Sequence, residues 1–319
     1  MGNNTQFSNE EAAFALEISK LPHEYEKAQK QGVQPAELKA ESTKNAPENV
    51  KDNIQIIQVG NTTCVIAYDE EKNSATVSFD PTFQKRDYVD NFFRGHEDHS
   101  LGGEVHGGSY SDLIKDHDTP TLPGDNLSET IAGVLYDHSS KNDEPLTVNF
   151  AGFSRGGGLA VLEAGELMAN GVFDDPQIIK MGSVYTFGAM AVGNHEFIEK
   201  FNEKTQELGG KVFAIEVQGD KNPTVLTEDG SKFYTKYDYE QAGEPVFIKN
   251  GTQGGPATIT VNPSEDELKQ LRELPATTGS PHSFDSYSNA LESTMPAQEV
   301  IPTTRPIMDV GQGYNAPAM

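Results

Sequence analysis

Apolar runs and helical patterns alternate along most of this chain, most clearly between residues 54 and 295. Short runs rich in β-branched and aromatic residues predict buried strands at 62–68, 75–79, 147–150 and 211–218. Helical patterns separate several of these runs. An alternation of this length predicts one large α/β unit, with a mostly parallel central sheet flanked by helices.

Two further segments adjoin the predicted domain at 54–295. Residues 1–53 contain a predicted helix at 9–30 and then a polar stretch, a linker or exposed helix that packs on or leads into the core. The helix has an apolar stripe interrupted by Pro22, made of Ala12, Phe14, Ala15, Ile18 and Leu21. Residues 296–319 contain several prolines and little periodicity, which predicts an extended or disordered tail; an export or docking signal is a second interpretation.

Local patterns predict two elements near the end of the domain. Val246–Lys249 and Thr258–Val261 are apolar runs separated by a Gly-rich stretch, which predicts a β-hairpin. Glu265–Leu274 follows Ser264, a favourable N-cap residue, and therefore predicts a helix.

The charge balance narrows the classes of partner. Lys and Arg number 24 against 49 Asp and Glu, for a formal net charge of -25 at pH 7. Such a chain repels phosphates, which argues against nucleic acid as a partner and against electrostatic adhesion to anionic membranes. The same charge suits a solution of high salt, where screening weakens self-repulsion.

The cysteine count and the first residues bear on the compartment. Cys64 is the single cysteine, lies in an apolar run and cannot form an intrachain disulfide, so we interpret it as core packing. Residues 1–10 are polar and acidic, without a basic and then apolar leader, and no run is long enough to span a bilayer. We therefore expect a cytoplasmic protein or one exported by a leaderless, effector-type route.

The stretch at 148–162 is the most informative for chemistry. An apolar strand is followed by Gly152, Ser154 and Gly156 in a Gly-x-Ser-x-Gly pattern and then by a helical pattern. This order can lift a serine hydroxyl onto a sharp strand-to-helix turn beside free backbone N–H groups. The pattern predicts a nucleophilic Ser154; a Gly-rich turn that only allows close packing is the alternative interpretation.

A nucleophilic serine needs a base and a carboxylate that orients it. His282 lies in a loop between two helical segments, and Asp220 follows the strand-like run 211–218. An acid just beyond the carboxyl end of a strand is where open α/β sheets place active groups. We predict Ser154, Asp220 and His282 as the catalytic residues; a solvated loop histidine and an ordinary turn aspartate are the alternatives.

Several ordered blocks over roughly residues 55–295 resemble the class 3 lipases, the fungal-lipase-like α/β-hydrolases. Ala151-Gly-Phe-Ser-Arg-Gly-Gly-Gly-Leu-Ala160 is similar to the family's Gly-His-Ser-Leu-Gly-Gly-Ala-Leu-Ala. Further similar blocks are Val184-Tyr-Thr-Phe-Gly188 with Val192-Gly-Asn194, Asp220-Lys-Asn-Pro223, and Val105-His-Gly-Gly108. The resemblance implies an α/β-hydrolase fold and hydrolysis of lipid esters by a lipase or phospholipase A1-type enzyme. The sequence has no glycine-rich nucleotide-binding motif, and we expect no cofactor.

The departures from the family pattern concern the nucleophile and the oxyanion loop. Phe153 and Arg155 stand where the family has His and Leu, and Asp80-Pro81 stands where it has the Arg-Gly of Phe-Arg-Gly-Thr. The resemblance implies that Thr82 and the N–H of Arg155 form the oxyanion hole. Gly-Phe-Ser-Arg-Gly also resembles some bacterial phospholipase effectors, so the Arg155 side chain either favours an anionic headgroup or points to solvent.

Three segments between 82 and 125 have open interpretations. Residues 82–95 carry apolar pairs at helical spacing, which fit either a core-facing helix or the lid that the family places here. A dense group of His and carboxylate residues follows: His96, Glu97, Asp98, His99, Glu104 and His106. It lacks the helical spacing of zinc sites, so we expect a polar loop and no metal. The Asp-rich stretch 112–125 could recruit calcium weakly, but it lacks EF-hand spacing.

Three interpretations of function follow. The first is a serine carboxylic-ester hydrolase acting on lipid esters through an acyl-enzyme, with a lipid or ester substrate as partner and a membrane or micelle interface as the place of contact. The second is a non-catalytic hydrolase-like module that binds lipid or protein. The third is an esterase for soluble esters. The sequence leaves the oligomeric state open.

Overall fold

The structure is a computed structural model, and it describes residues 7–81, 95–115, 126–224, 227, 238–251, 255–277 and 279–294. Four subjects of the sequence analysis lie wholly or largely outside these residues. They are Thr82, the segment 82–95 except Gly95, most of the Asp-rich stretch 112–125, and the tail 296–319.

The described strands form two sheets. In chain order they are β1 (Ile54–Val59), β2 (Thr62–Asp69), β3 (Ser74–Phe79), β4 (His96–Asp98), β5 (Glu104–His106), β6 (Leu146–Phe153), β7 (Ile179–Phe187), β8 (Gly193–Asn194), β9 (Lys211–Val217), β10 (Tyr239–Glu240), β11 (Glu244–Lys249) and β12 (Thr258–Val261). The large, eight-stranded sheet has the order β1-β2-β3-β6-β7-β9-β11-β12, and the small, four-stranded sheet has the order β10-β8-β5-β4.

The described helices flank the large sheet or extend from it. They are α1 (Asn9–Lys30), α2 (Pro35–Thr43), α3 (Gly107–Ile114), α4 (Leu127–Ser139), α5 (Arg155–Ala169), α6 (His195–Glu207), α7 (Glu265–Arg272) and α8 (Phe284–Glu292). None of the described helices is long and apolar enough to cross a membrane.

The centre of the large sheet is parallel. Strands β3, β6, β7, β9 and β11 pair in parallel, whereas β1, β2 and β12 add antiparallel pairs at the two edges. Parallel strands are buried on both faces, which fits the continuous apolar runs in the sequence. The predicted fold class, a mostly parallel central sheet flanked by helices, is confirmed.

Each face of the sheet has its own core. On one face, side chains of α4, α5 and α6 pack against β2, β3 and β6, among them Ile131, Leu162 and Phe197. On the other face, α1 and α8 pack against β6, β7 and β9, with Leu16 and Tyr287 in that core. The carboxyl ends of the central strands thus remain the edge where side chains from several elements can meet.

Helix α1 spans 9–30 as the pattern predicts, and it continues through Pro22. The side chain of Ser8 caps its start by accepting a hydrogen bond from the N–H of Glu11 at 3.3 Å. Its buried stripe lies on the sheet, and the ring of Phe7 just before it contacts the ring of Phe213 on β9 at 5.3 Å. Within the stretch 31–53, residues 35–43 form α2.

The local predictions near the end of the domain are confirmed. Strand β11 pairs with β12 in antiparallel register, Val246 with Val261 and Lys249 with Thr258. Helix α7 begins at Glu265, and the Ser264 side chain accepts from the N–H of Glu267 at 3.4 Å. The helix ends at Arg272, two residues before the predicted end.

Candidate active site

A strand-to-helix turn presents Ser154 at the carboxyl edge of the large sheet. Strand β6 ends at Phe153, α5 begins at Arg155, and Ser154 between them has φ 57° and ψ -126°. This backbone conformation is costly for a side-chain-bearing residue and is typical of a nucleophile held on a sharp elbow. The strand–turn–helix context predicted for Ser154 is therefore present.

The glycines of the motif are needed because the backbone crosses itself closely. A Cβ on Gly152 would lie 2.2 Å from the carbonyl oxygen of Gly156, and a Cβ on Gly156 would lie 2.3 Å from that of Phe79. The backbone N–H of Ser154 donates to the carbonyl oxygen of Phe187 on the neighbouring strand at 2.9 Å. The elbow is thus fixed by both its sequence and its sheet.

His282 links the serine to an acid. Its Nε2 lies 2.9 Å from the Oγ of Ser154, and its Nδ1 lies 2.8 Å from the Oδ2 of Asp220. Asp220 directly follows β9 and its strand-end turn, whereas His282 comes from the loop before α8. The structure brings together all three side chains that the sequence pointed to, within hydrogen-bond distance of one another.

Asp220 is buried and accepts further hydrogen bonds. The N–H of Asn222 donates to its Oδ1 at 2.9 Å, and the hydroxyl of Tyr287 on α8 donates to its Oδ2 at 2.7 Å. Burial, more than the nearby charge of Asp220, raises the pKa of Tyr287 well above its ordinary value, so the hydroxyl remains a donor. These donors restrain the carboxylate that accepts from the imidazole, so that it can orient the ring.

Aromatic packing holds the imidazole of His282 from one side. The ring of Phe153 stacks on it, with centroids 4.7 Å apart and an interplanar angle of 25°. The rings of Phe284 and Tyr287 also pack against Phe153, with centroids 4.5 Å and 5.5 Å from its own. The side chain of His282 is still 31% exposed, so a substrate and water can reach it.

Gly188 directly follows β7 and leaves room for the side chains of Asp220, Tyr287 and His282. Its φ is +54°, and a Cβ there would lie 2.6 Å from the Oδ2 of Asp220 and 2.7 Å from the hydroxyl oxygen of Tyr287. The side-chain amide of Asn222 also donates to the Gly188 carbonyl at 2.6 Å. A side chain at 188 would displace the acid, which explains a glycine here.

The side chain of Arg155 does not point to solvent; that interpretation was wrong. The residue is 7% exposed, and its guanidinium donates to the Oδ2 of Asp80 at 3.3 Å and to the Oδ2 of Asp112 at 2.5 Å. Because two carboxylates already balance its charge, the guanidinium is poorly placed to bind an anionic headgroup. Burial raises the pKa of Asp80 to about 7, against the opposing effect of the Arg155 charge.

The two predicted oxyanion donors differ in what the structure describes. Arg155 is the first residue of α5, so the helix itself supplies no acceptor for its backbone N–H. That N–H lies at the positive end of the helix dipole, next to the Ser154 hydroxyl. Thr82 lies outside the described residues, and both assignments remain predictions.

The His and carboxylate residues at 96–106 divide between different surroundings. His96 lies 2.9 Å, through Nδ1, from the hydroxyl of Tyr239, while His99 is buried with its Nε2 3.2 Å from the carbonyl oxygen of Leu162. Residues 96–98 and 104–106 form β4 and β5, not a loop. Among the described residues, no group of three or more His, Cys, Asp or Glu side chains could hold a metal ion.

Sequence reasoning missed three contributors to the site. Tyr287 lies five residues beyond His282, but nothing in a single sequence shows that its hydroxyl reaches Asp220. The stack of Phe153 on His282 and the pairing of Asp80 with Arg155 likewise join residues distant in the chain. The available signal was the departure of Asp80, Phe153 and Arg155 from the family pattern, which marks the residues but not their partners.

Comparison with known families gives one match. The family model described as Lipase (class 3) matches residues 71–229, a stretch that contains Ser154 and Asp220 but ends before His282. A comparison with curated protein sequences found no match.

Solved structures of fungal lipases are similar in fold. A mutant form of MDLA from Penicillium cyclopium has a TM-score of 0.58 at 18% identity, covering 86% of this chain and 93% of that one. Lipase II from Rhizopus niveus has a TM-score of 0.55 at 16% identity, covering 87% and 94%. A triacylglycerol lipase from Penicillium expansum has a TM-score of 0.53 at 13% identity, covering 86% and 91%. At these identities the likeness concerns the fold.

Proposed function

Because the chain belongs to the class 3 lipase family, we propose that it is a serine hydrolase that cleaves carboxylic esters of lipids through an acyl-enzyme intermediate. The observation that carries the proposal is the unbroken hydrogen-bonded chain from Ser154 through His282 to Asp220, with distances of 2.9 Å and 2.8 Å. A serine on a strained elbow with a base and an acid in line has the geometry of nucleophilic acyl transfer.

In the acylation step the Oγ of Ser154 attacks the ester carbonyl carbon while the Nε2 of His282 takes its proton. Asp220 accepts the Nδ1–H of His282, which keeps the imidazole in the tautomer with Nε2 free and stabilises the imidazolium that forms. His282 then gives the proton to the leaving alcohol. The products of this half-reaction are the free alcohol and an acyl ester on Ser154.

The negative charge of the tetrahedral intermediate needs donors. We assign the backbone N–H of Arg155 to this role, since it lies at the N-terminus of α5 beside the nucleophile. The family resemblance makes Thr82 the second donor. Each donor of this kind lowers the barrier by about 3 kcal/mol.

In the second half-reaction water replaces the alcohol. His282 takes a proton from a water molecule, whose oxygen attacks the acyl carbon, and returns the proton to the Oγ of Ser154 as the fatty acid leaves. The partial exposure of His282 is consistent with water reaching this position.

Ser154→Ala tests the proposal directly. We expect esterase activity on p-nitrophenyl butyrate to fall by about 10⁴-fold or more, because the nucleophile is lost, without loss of the fold. A fluorophosphonate probe should label the wild type once and the Ser154→Ala variant not at all. Ser140→Ala, which changes an exposed serine after α4, is the matched control and should keep full labelling.

The outcome also decides between classes of function. A wild-type chain that is folded yet neither labelled nor active would overturn the enzyme and support a hydrolase-like binding module. Among esterases, a steep rise in rate above the micelle threshold of the substrate supports action at a lipid interface. A rate that saturates below that threshold supports soluble esters, and release of fatty acid from phosphatidylcholine vesicles supports a phospholipase A1.

A further inference from the structure

Two residues that depart from the family pattern contact each other. Asp80 stands where the family has arginine, and Arg155 stands where it has leucine, yet their side chains pair at 3.3 Å. Both are buried, with Asp80 2% and Arg155 7% exposed. Both departures from the family pattern therefore belong to one buried ion pair.

The guanidinium of Arg155 joins four elements. It extends from the first residue of α5 to Asp80 at the end of β3, to Asp112 on α3 and to the hydroxyl of Thr62 at the start of β2. Asp80 is itself fixed, since its Oδ1 accepts from the N–H of Thr63 at 2.8 Å. The planar fork of arginine fixes the directions of its hydrogen bonds to acids on two sides, whereas the ammonium of lysine has no such preset geometry.

The anchored residue is also the one whose backbone lies next to the nucleophile. The guanidinium and the N–H of Arg155 belong to one residue, so anchoring the far end of the side chain restricts rotation of the peptide between 154 and 155. That peptide adjoins the strained conformation of Ser154, where φ is 57°. A small rotation here would move the N–H away from a developing negative charge, and small misplacements are costly in catalysis.

We propose that Arg155 is a positioning residue, whose side chain, held between Asp80 and Asp112, keeps its own backbone N–H aimed at the oxyanion of the tetrahedral intermediate. The inference rests on the proposed function. It assigns the ion cluster of Asp80, Arg155 and Asp112 to the transition state and not to substrate binding. It predicts that a substitution that weakens this cluster lowers kcat with little change in KM.

The test compares Arg155→Lys with the wild type per active site. Fluorophosphonate titration gives the concentration of competent Ser154, and kcat and KM for p-nitrophenyl butyrate are expressed per titrated site. We expect kcat to fall by about tenfold or more with KM within about twofold. A phenylboronic acid, which forms a charged tetrahedral adduct, should bind more weakly by a similar factor.

Arg272→Lys is the matched control. Arg272 forms a bidentate pair with Glu216 at 2.9 Å and 2.5 Å, so the same substitution weakens another largely buried ion pair. We expect a lower unfolding temperature for this variant with unchanged kcat per titrated site. An Arg155→Lys enzyme that behaves in the same way would overturn the inference and leave only a structural role.

A second variant covers the case in which Arg155→Lys does not fold. Asp112→Asn removes the charge of one anchor, and so weakens it, at a side chain that is 28% exposed, and it leaves Asp80 in place. We expect a smaller fall in kcat per titrated site, of about threefold or more, again with KM unchanged; an unaltered kcat contradicts the inference. If the wild type is not labelled at all, the proposed function fails first, which separates the two outcomes.

Discussion

At the scale of single residues, the candidate site depends on how one carboxylate is held. The Oδ2 of Asp220 accepts from both His282 and Tyr287, and the Oδ1 accepts from a backbone N–H. Hydrogen bonds to a charged group contribute more than those between neutral groups. The Tyr287 hydroxyl is therefore expected to fix the direction in which Asp220 faces His282.

Tyr287→Phe tests this contribution. We expect kcat/KM on p-nitrophenyl butyrate to fall by about tenfold, because one hydrogen bond to a charged group contributes about 1.5 kcal/mol. The ring stays packed against Phe153, so the fold should persist. Tyr185→Phe is the control, since the Tyr185 hydroxyl donates to Glu11, at 2.9 Å, and not to Asp220. Equal losses in the two variants would contradict the assignment.

The sequence predicted these residues unevenly, for a physical reason. Ser154, Asp220 and His282 each follow a local signal: an elbow motif, a strand end and a loop before a helix. The partners of Asp220 and Arg155 depend on which elements become neighbours, and no local pattern encodes that. Solvent and an anionic headgroup were the two interpretations for the Arg155 side chain, because its position at a helix start showed no partner within the chain; in the structure the helix start faces α3 and the end of β3.

At the scale of elements, α5 combines the elbow with a buried acid. Glu163 lies two turns beyond the nucleophile and is fully buried, with 0% exposure. Burial raises its pKa from an ordinary value of 4.5 to about 8, against the smaller opposing effect of the Ser128 hydroxyl. The folded protein therefore keeps a proton on Glu163 at neutral pH that the unfolded chain releases.

This difference in bound protons predicts how stability depends on pH. Between the unfolded and folded pKa values, stability falls as pH rises, by about 1.4 kcal/mol per pH unit for one such group. Glu163→Gln removes the titration, so the variant should gain stability relative to the wild type steadily from pH 5 to 8. Urea unfolding at each pH measures the difference. The titration of Asp80 contributes to both proteins and cancels in the difference between them. A difference in unfolding free energy that stays constant with pH would contradict the prediction.

Elements were predictable where their signals are local. The hairpin of β11 and β12, helix α7 and helix α1 each follow from periodicity, turn residues or caps within the segment itself. The small sheet was missed because its strands are two or three residues long and pair across distant parts of the chain, as in Val105 with Gly193. Strands that short carry no periodicity of their own.

At the scale of the whole molecule, the excess of acidic residues dominates. A net charge of -25 makes the folded state repel itself, and salt screens that repulsion. We expect the unfolding temperature to rise with NaCl, by about 2–4 °C for each kcal/mol gained, and to level off near 1 M as the screening length shortens to about 3 Å. Thermal unfolding in NaCl measures this.

NaCl is preferred to sulfate in that experiment, because sulfate also stabilises proteins by exclusion from their surface. Sucrose, which does not screen charge, is the control and should give no such levelling. An unfolding temperature that falls in NaCl would contradict the prediction.

At this scale the fold class was predictable, because the alternation of strands and helices is still visible in a sequence of unusual composition. The net charge, in contrast, gave no information about where the site lies.

The position of α1 has a consequence for how the chain is made. Leu16 packs in the same core as Phe153, and the rings of Phe7 and Phe213 pack edge to face. During synthesis α1 leaves the ribosome before β6 and β9, so the apolar face of the nascent helix stays exposed to water until those strands emerge. We expect chaperones that bind exposed apolar segments to bind this nascent chain. Synthesis that stalls before β6 would leave an aggregation-prone intermediate.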